Sequence, residues 1–184
     1  MIRVFIFFAF FFGGYFLVIE QKESLSNLFA DSSEQKADSN EKTSKAFKNL
    51  LASTDNKGST YLINFWASWC SPCMKELPSL NRLNSLYKEK GLGIITVNTD
   101  YEDQDKLIKK TKNDLGLSLE IVKDIKGKYT ESFGIEGLPV TILFRDGSLI
   151  EKINGEIDFD SKEFRRKIDL LLQSSESSSS SKNM

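Results

Sequence analysis

The sequence predicts an α/β fold with a central mixed β-sheet flanked by helices on both faces. Short runs of aromatic and β-branched residues alternate with longer segments whose apolar residues recur every three or four positions. This alternation places parallel strands in one sheet that helices cover. Near the end of the chain, Asp146-Gly147 separates two apolar runs. That dipeptide is typical of a hairpin turn, so an antiparallel pair completes the sheet.

The pattern of apolar residues predicts the individual strands and helices in chain order. Alternating aromatic and aliphatic residues predict a buried strand at Tyr61–Phe65. An apolar stripe predicts a helix after it, formed by Leu77, Leu80, Leu83, Leu86 and Tyr87. Similar patterns give the complete set: strand Tyr61–Phe65, helix Pro72–Lys90, strand Leu92–Val97, helix Asp103–Leu115, strand Leu119–Val122, short helix Lys126–Phe133, hairpin strands Val140–Phe144 and Leu149–Ile153, and a final helix lined by Phe164, Ile168, Leu171 and Leu172.

The first 20 residues are predicted to be a membrane anchor or a signal sequence. Arg3 precedes an apolar stretch, residues 4–19. As a helix this stretch would span about 24 Å, short of the roughly 30 Å of a bilayer core. We favour an uncleaved anchor, because Ser-Leu-Ser at residues 24–26 is a poor cleavage site; a cleaved signal and a buried helix are the alternatives. No cysteine directly follows the stretch, which argues against lipid attachment.

The remaining chain is expected to hold one domain. Residues 21–43 are rich in Ser, Lys, Glu and Asp and are predicted to form a flexible linker, because they bury too little apolar surface to offset ordering entropy. The domain is expected at residues 44–173, followed by a disordered serine-rich tail at 174–184. The net charge of −1, with Lys and Glu mixed along the chain, gives no reason to expect nucleic acid as a partner.

Cys70 and Cys73 are the only cysteines among the 184 residues. Two cysteines at this spacing can form a disulfide or remain a dithiol, so the pair can act as a two-electron redox couple. The alternative is that both are buried packing residues. A closed zinc site needs four ligands, usually Cys or His, and the chain has no His and no further Cys. We therefore expect no metal centre and no cofactor.

The cysteine pair lies where the first predicted strand ends and a helix begins. Ser71 is expected to be the N-cap and Pro72 the first helical residue. The start of a helix favours a negative charge, so the thiol pKa of Cys70 is expected to fall from about 8.5 to roughly 3.5–7.5. Cys70 is thus the predicted nucleophile. Cys73 is one turn further along, more shielded, and is the predicted resolving cysteine.

The segment Phe-Trp-Ala-Ser-Trp-Cys-Ser-Pro-Cys at residues 65–73 resembles the active-site segment of the thioredoxin-like superfamily. Pro78 matches the proline that kinks the first active-site helix of that family, and Gly-Leu-Pro-Val at 137–140 matches its cis-proline loop. Residues 64–67 and 73–78, with the stretch at 103–122, look most like the membrane-anchored extracytoplasmic reductases of the TlpA and ResA type. The resemblance covers roughly residues 45–172 and implies a thioredoxin-like fold.

The resemblance also implies a substrate-binding surface. It places Trp69, Pro72, Leu138 and Pro139 at this surface, with the Leu138–Pro139 bond in the cis form. The Leu138 backbone could then pair with an extended substrate strand. Trp66 is expected in the core instead.

Two further positions separate this chain from cytoplasmic thioredoxins. Asn64 stands where those proteins carry a buried aspartate. Glu76 matches a glutamate that lies near the cysteines in ResA-like proteins, and it is a candidate for proton transfer. The alternative for Glu76 is an exposed helix glutamate without a role.

By resemblance, the expected function is that of a membrane-tethered thiol–disulfide oxidoreductase that reduces disulfides of extracytoplasmic proteins. It would act at the periplasmic face of the cytoplasmic membrane, or as a soluble periplasmic or secreted protein if the first segment is cleaved. Apocytochrome c during haem attachment is a candidate substrate, a thiol-type membrane protein is the expected electron donor, and we expect a monomer. The alternatives are a disulfide-forming oxidant or isomerase of the same fold, and a non-enzymatic binding module.

Overall fold

The computed structural model describes residues 41–54 and 59–180, with side chains described as far as residue 173. The predicted anchor and almost all of the predicted linker lie outside the described residues. Within the described part, none of the helices combines the length and the apolar character needed to cross a bilayer.

Five strands form one mixed sheet in the order β3-β2-β1-β4-β5. β1 pairs in parallel with β2, and β2 with β3, whereas β4 is antiparallel to both β1 and β5. This arrangement confirms the predicted α/β class. The strands are β1 Thr60–Trp66, β2 Leu92–Asn98, β3 Glu120–Lys123, β4 Val140–Arg145 and β5 Ser148–Asn154.

Helices connect and cover these strands. The described elements are α1 at residues 41–51, α2 Ser71–Tyr87, α3 Gln104–Leu115, α4 Lys128–Ser132 and α5 Lys162–Ser180, with short 3-10 turns at Lys88–Lys90 and Ile125–Gly127.

Three differences from the predicted elements have local causes. α2 ends at Tyr87 and continues as a 3-10 turn, which closes on Gly91 in the left-handed conformation. The predicted helix at 126–133 is divided, because Lys126 has a φ of 59° that no α-helix accommodates. α5 carries helical backbone to Ser180, past the start of the predicted tail. The domain bounds and the disordered tail stay predictions.

Helix α1 was not predicted, and it covers one face of the sheet. Ala46, Phe47 and Leu50 are buried, and the Phe47 ring stacks on Phe144 of β4 with ring centroids 4.0 Å apart. The predicted linker ended at residue 43, yet residues 41–43 are already helical. The helix therefore belongs to the packed fold.

The central strand β1 is buried along its whole length. Its residues alternate between two clusters, because successive side chains of a strand point to opposite faces. Leu62 and Trp66 join the cluster that includes α2 and α5, whereas Ile63 and Phe65 join the cluster that includes α1 and α4. The sheet thus has helices on both faces, and the chain leaves β1 at its carboxyl end directly toward the cysteines.

Candidate active site

Cys70 and Cys73 form a disulfide at the start of α2, with sulfurs 2.03 Å apart. The N-cap is Cys70 rather than Ser71, so that prediction was wrong by one residue. Cys70 keeps an extended backbone (φ −84°, ψ 102°), and the Cys70 sulfur takes the place of a capping oxygen by accepting the backbone N–H of Cys73 at 3.3 Å. Ser71 begins the helix, and Pro72 lies within its first turn, where a missing N–H costs nothing.

The two cysteines differ slightly in exposure. Cys73 is fully buried, whereas Cys70 keeps 5% of its surface exposed beside the exposed Ser71 and Pro72. Because the first N–H groups of a helix lack partners within the helix, they favour a negative charge on an atom placed there. The Cys70 sulfur occupies such a place. A negative charge on it would be stabilised.

Glu76 lies three residues after Cys73 in α2 and is buried, with only 2% of its surface exposed. The alternative of an exposed glutamate is therefore wrong. Its Oε1 accepts a hydrogen bond from Asn64 Nδ2 at 2.7 Å, and its Oε2 accepts one from the Ile157 backbone N–H at 2.9 Å. Burial raises the pKa of Glu76 to about 7, and the hydrogen bonds from Ile157 and Asn64 oppose that rise.

Asn64, on the central strand, holds the Glu76 side chain in place by a hydrogen bond. Its amide nitrogen donates to both Glu76 and Thr141 Oγ1, at 2.7 and 3.1 Å. An aspartate in place of Asn64 would put two buried carboxylates in direct contact, which low dielectric surroundings oppose. Within the part of the chain that the structure describes, Asn64 Oδ1 is buried without a hydrogen-bond partner.

The four residues predicted to form the substrate-binding surface differ in exposure. Trp69 has 69% of its surface exposed, Pro72 is exposed, Leu138 is half-buried and Pro139 is buried. The Leu138–Pro139 bond is cis, as the resemblance implied. Because Val140 pairs with Phe65, the cis bond lies beside the end of β1 from which the cysteines follow. Trp66 is fully buried in the core, as expected.

Sequence reasoning missed Asp100, a buried carboxylate two residues after β2. It accepts the backbone N–H of Ser68 at 3.1 Å and the Ser68 hydroxyl at 3.0 Å, and it also accepts Asn98 Nδ2 at 2.8 Å. These bonds fix the loop between β1 and Cys70. The one sequence signal was a polar Asn-Thr-Asp run at residues 98–100, directly after a buried strand.

Replacing Asp100 with alanine is expected to lower the free energy of unfolding by about 1–3 kcal/mol, because Ser68 loses its acceptor. Asp100→Asn keeps one acceptor oxygen and should lose less. Urea unfolding of the oxidised protein measures both. The matched control is Asp114→Ala on the exposed face of α3, expected within about 0.5 kcal/mol of the unaltered protein. Equal losses for Asp100→Ala and Asp114→Ala would contradict this account of the loop.

Comparison with known proteins shows which proteins this chain is similar to. The chain is similar to thiol-disulfide oxidoreductase ResA of Bacillus anthracis, with 39% identity over 103 residues that cover 55% of this chain and 58% of ResA. The chain thus spans less than two thirds of the length of that curated relative.

Two solved structures have the same fold. The thioredoxin domain of a thiol-disulfide oxidoreductase from Bacteroides vulgatus aligns with 29% identity and a TM-score of 0.53, covering 64% of this chain and 82% of that one. StoA of Bacillus subtilis aligns with 27% identity and a TM-score of 0.52, covering 58% of this chain and 81% of StoA. The Redoxin family model matches residues 31–167, which is most of the chain. With its thioredoxin-like fold and its Cys70–Cys73 pair, the chain is therefore a member of the Redoxin family, among relatives of the ResA type.

Proposed function

We propose that the chain is a thiol–disulfide oxidoreductase whose Cys70–Cys73 pair cycles between disulfide and dithiol. One observation carries the proposal: the pair is bonded at a helix start, and the sulfur of Cys70, the less buried of the two residues, accepts a backbone N–H. The similarity to ResA, which is named for this activity, supports it. A packing role for the two cysteines would require no such placement.

The reaction transfers two electrons from the dithiol to a substrate disulfide. The Cys70 thiolate attacks one sulfur of the substrate, forming a mixed disulfide and releasing the first substrate thiolate, which takes up a proton. Cys73 gives up its proton, attacks the Cys70 sulfur and releases the second substrate thiol. The Cys70–Cys73 disulfide remains, and an external dithiol must reduce it before the next cycle.

Glu76 is the proposed proton acceptor for Cys73. It lies three residues further along α2, and both side chains belong to the buried interior. A group with a pKa of about 7 can take up and release a proton near neutral pH. Transfer through one water molecule would connect the carboxylate to the sulfur. Trp69, Pro72, Leu138 and Pro139 form the proposed docking surface around Cys70.

We further propose that the protein acts as a reductant outside the cytoplasm, tethered by its first 20 residues to the membrane. The apolar run at residues 4–19 and the resemblance to TlpA and ResA proteins support this location. A thiol-type membrane protein would then supply electrons, and protein disulfides would be the substrates. Apocytochrome c is the candidate substrate that the resemblance favours.

The equilibrium potential of the purified full chain in dithiothreitol and glutathione buffers tests the direction. For a reductant we expect a value below about −180 mV, toward the roughly −270 mV of thioredoxin. A value near the −120 mV or so of DsbA would instead identify a disulfide-forming oxidant. An insulin-reduction assay separates both enzymes from a binding module, because a binding module would show no turnover.

A further inference from the structure

A groove of about 500 Å³ lies at the end of the sheet next to the cysteines. Its walls come from the loops that follow β1, β2 and β3 and from the loop that precedes β4. Trp69, Tyr101 and Ile125 lie along it with 69%, 96% and 63% of their surfaces exposed. Exposed aromatic and aliphatic side chains gathered at one site are typical of a protein-binding surface.

Charge distinguishes this groove from a purely apolar cleft. Three of its lining residues are carboxylates, Asp100, Asp124 and Glu136, whereas one, Lys126, is a cation. Asp100 and Asp124 are buried and receive hydrogen bonds from backbone N–H groups, which hold their charges in place. Glu136 is exposed. The groove therefore combines apolar surface with more acidic than basic lining residues, and Glu136 is the acidic residue exposed at its surface.

From this combination we infer that the groove selects protein substrates in which an aromatic or aliphatic residue and a lysine or arginine flank the disulfide. The apolar side chain would pack against Ile125 and Tyr101, and the cation would lie near Glu136 and the aromatic faces. This inference rests on the proposed function, because it gives the substrate class of the same site. Tyr101, Ile125 and Glu136 would then determine specificity without touching the reacting sulfurs.

The substrate preference is tested with three peptides that carry the same internal disulfide. Their flanking residues are Phe-Lys, Phe-Glu or Ser-Lys, and kcat/KM for reduction by the full chain is measured for each. We expect Phe-Lys to exceed Phe-Glu by about tenfold or more at low salt, with the ratio shrinking as ionic strength rises. Phe-Lys should also exceed Ser-Lys. Equal values for the three peptides would overturn the inference.

Substitutions test whether the groove causes the preference among the three peptides. Glu136→Lys is expected to reverse the order of the Phe-Lys and Phe-Glu peptides, and Ile125→Ser to remove the advantage of Phe-Lys over Ser-Lys. The matched controls outside the groove are Glu163→Lys and Ile150→Ser, both at exposed positions. Each rate is divided by the rate with hydroxyethyl disulfide, so that changes at the cysteines cancel. Control variants that shift the ratios as much as groove variants would contradict the assignment.

Binding separates a failure of this inference from a failure of the proposed function. A cysteine-free Phe-Lys peptide is titrated calorimetrically against the oxidised full chain and against Glu136→Lys. Saturable binding that Glu136→Lys removes supports the groove even if no disulfide is turned over, and that result would reject only the proposed function. Absence of binding together with unselective turnover would reject only the groove. If Ile125→Ser converts a dimer to a monomer in sedimentation, a second copy occupies the groove and the inference is wrong.

Discussion

Replacing Cys73 with serine is expected to stop the reaction at the mixed disulfide. Cys70 keeps its exposed edge and its place at the helix start, so it can still attack. No second thiol remains to release the substrate, and turnover should end after about one substrate thiol per protein. Mass spectrometry of the variant mixed with a disulfide peptide should show an adduct that dithiothreitol removes.

Cys70→Ser is the matched control for this trap. It leaves Cys73, which is fully buried, and should therefore form no adduct on the same timescale. If Cys70→Ser forms adducts as readily as Cys73→Ser, the two sulfurs have been assigned to the wrong roles. If Cys73→Ser continues to turn over, the mechanism does not need a resolving cysteine. Both variants should be reduced beforehand, because a single remaining cysteine can form a disulfide with a second chain or with a small thiol.

Glu76 is expected to make the folded protein less stable as the pH rises. Its folded pKa of about 7 lies above the value of 4.5 for an unperturbed glutamate, because burial disfavours the charged form. Below the pKa of the unfolded state, Glu76 carries its proton in both the folded and the unfolded protein. The folded protein then has its full stability with respect to this group. Between the two values the unfolded chain loses its proton first, so stability falls, by about 3 kcal/mol once pH exceeds the folded pKa.

The variant Glu76→Gln has no proton to lose and should not show this dependence. Urea unfolding of the oxidised proteins from pH 4 to pH 8 should therefore give a wild-type-minus-variant difference that declines with pH. Working with the oxidised form keeps the cysteines from titrating. Glu89→Gln, at an exposed position, is the control and should parallel the unaltered protein. A pH-independent difference between Glu76→Gln and the unaltered protein would contradict the raised pKa.

The strands were predictable because each is indicated by the apolar residues of its own short segment. Tyr61, Leu62, Ile63 and Phe65 are apolar and only Asn64 interrupts them, as expected for a strand covered on both faces. The apolar stripe predicted α2 in the same way, but its member Leu86 is 47% exposed, so that position was wrong. The cis bond before Pro139, in contrast, came from the resemblance alone.

What could not be predicted depends on contacts between distant parts of the chain. α1 has a mixed, largely polar sequence, and its helix is explained by Phe47 packing against Phe144, about half the chain away. The resemblance alone pointed to Glu76, because its burial and its hydrogen bond from the Ile157 N–H, 81 residues away, depend on the fold. Asp100 likewise becomes important only through Ser68, 32 residues earlier. The N-cap was misplaced because backbone angles at Cys70, and not residue type, decide it.

The bond between Asn64 and Glu76 also has an evolutionary consequence. Because one side chain supplies the donor and the other the acceptor, a substitution at either position is expected to affect the other. A single exchange of Asn64 for aspartate would bring two acids together, and loss of Glu76 would remove the acceptor of the Ile157 N–H. A change from this Asn64–Glu76 pair to an acidic residue at position 64 therefore requires substitutions at both positions. A sequence with only one of the two substitutions is expected to be less stable than a sequence with neither or with both.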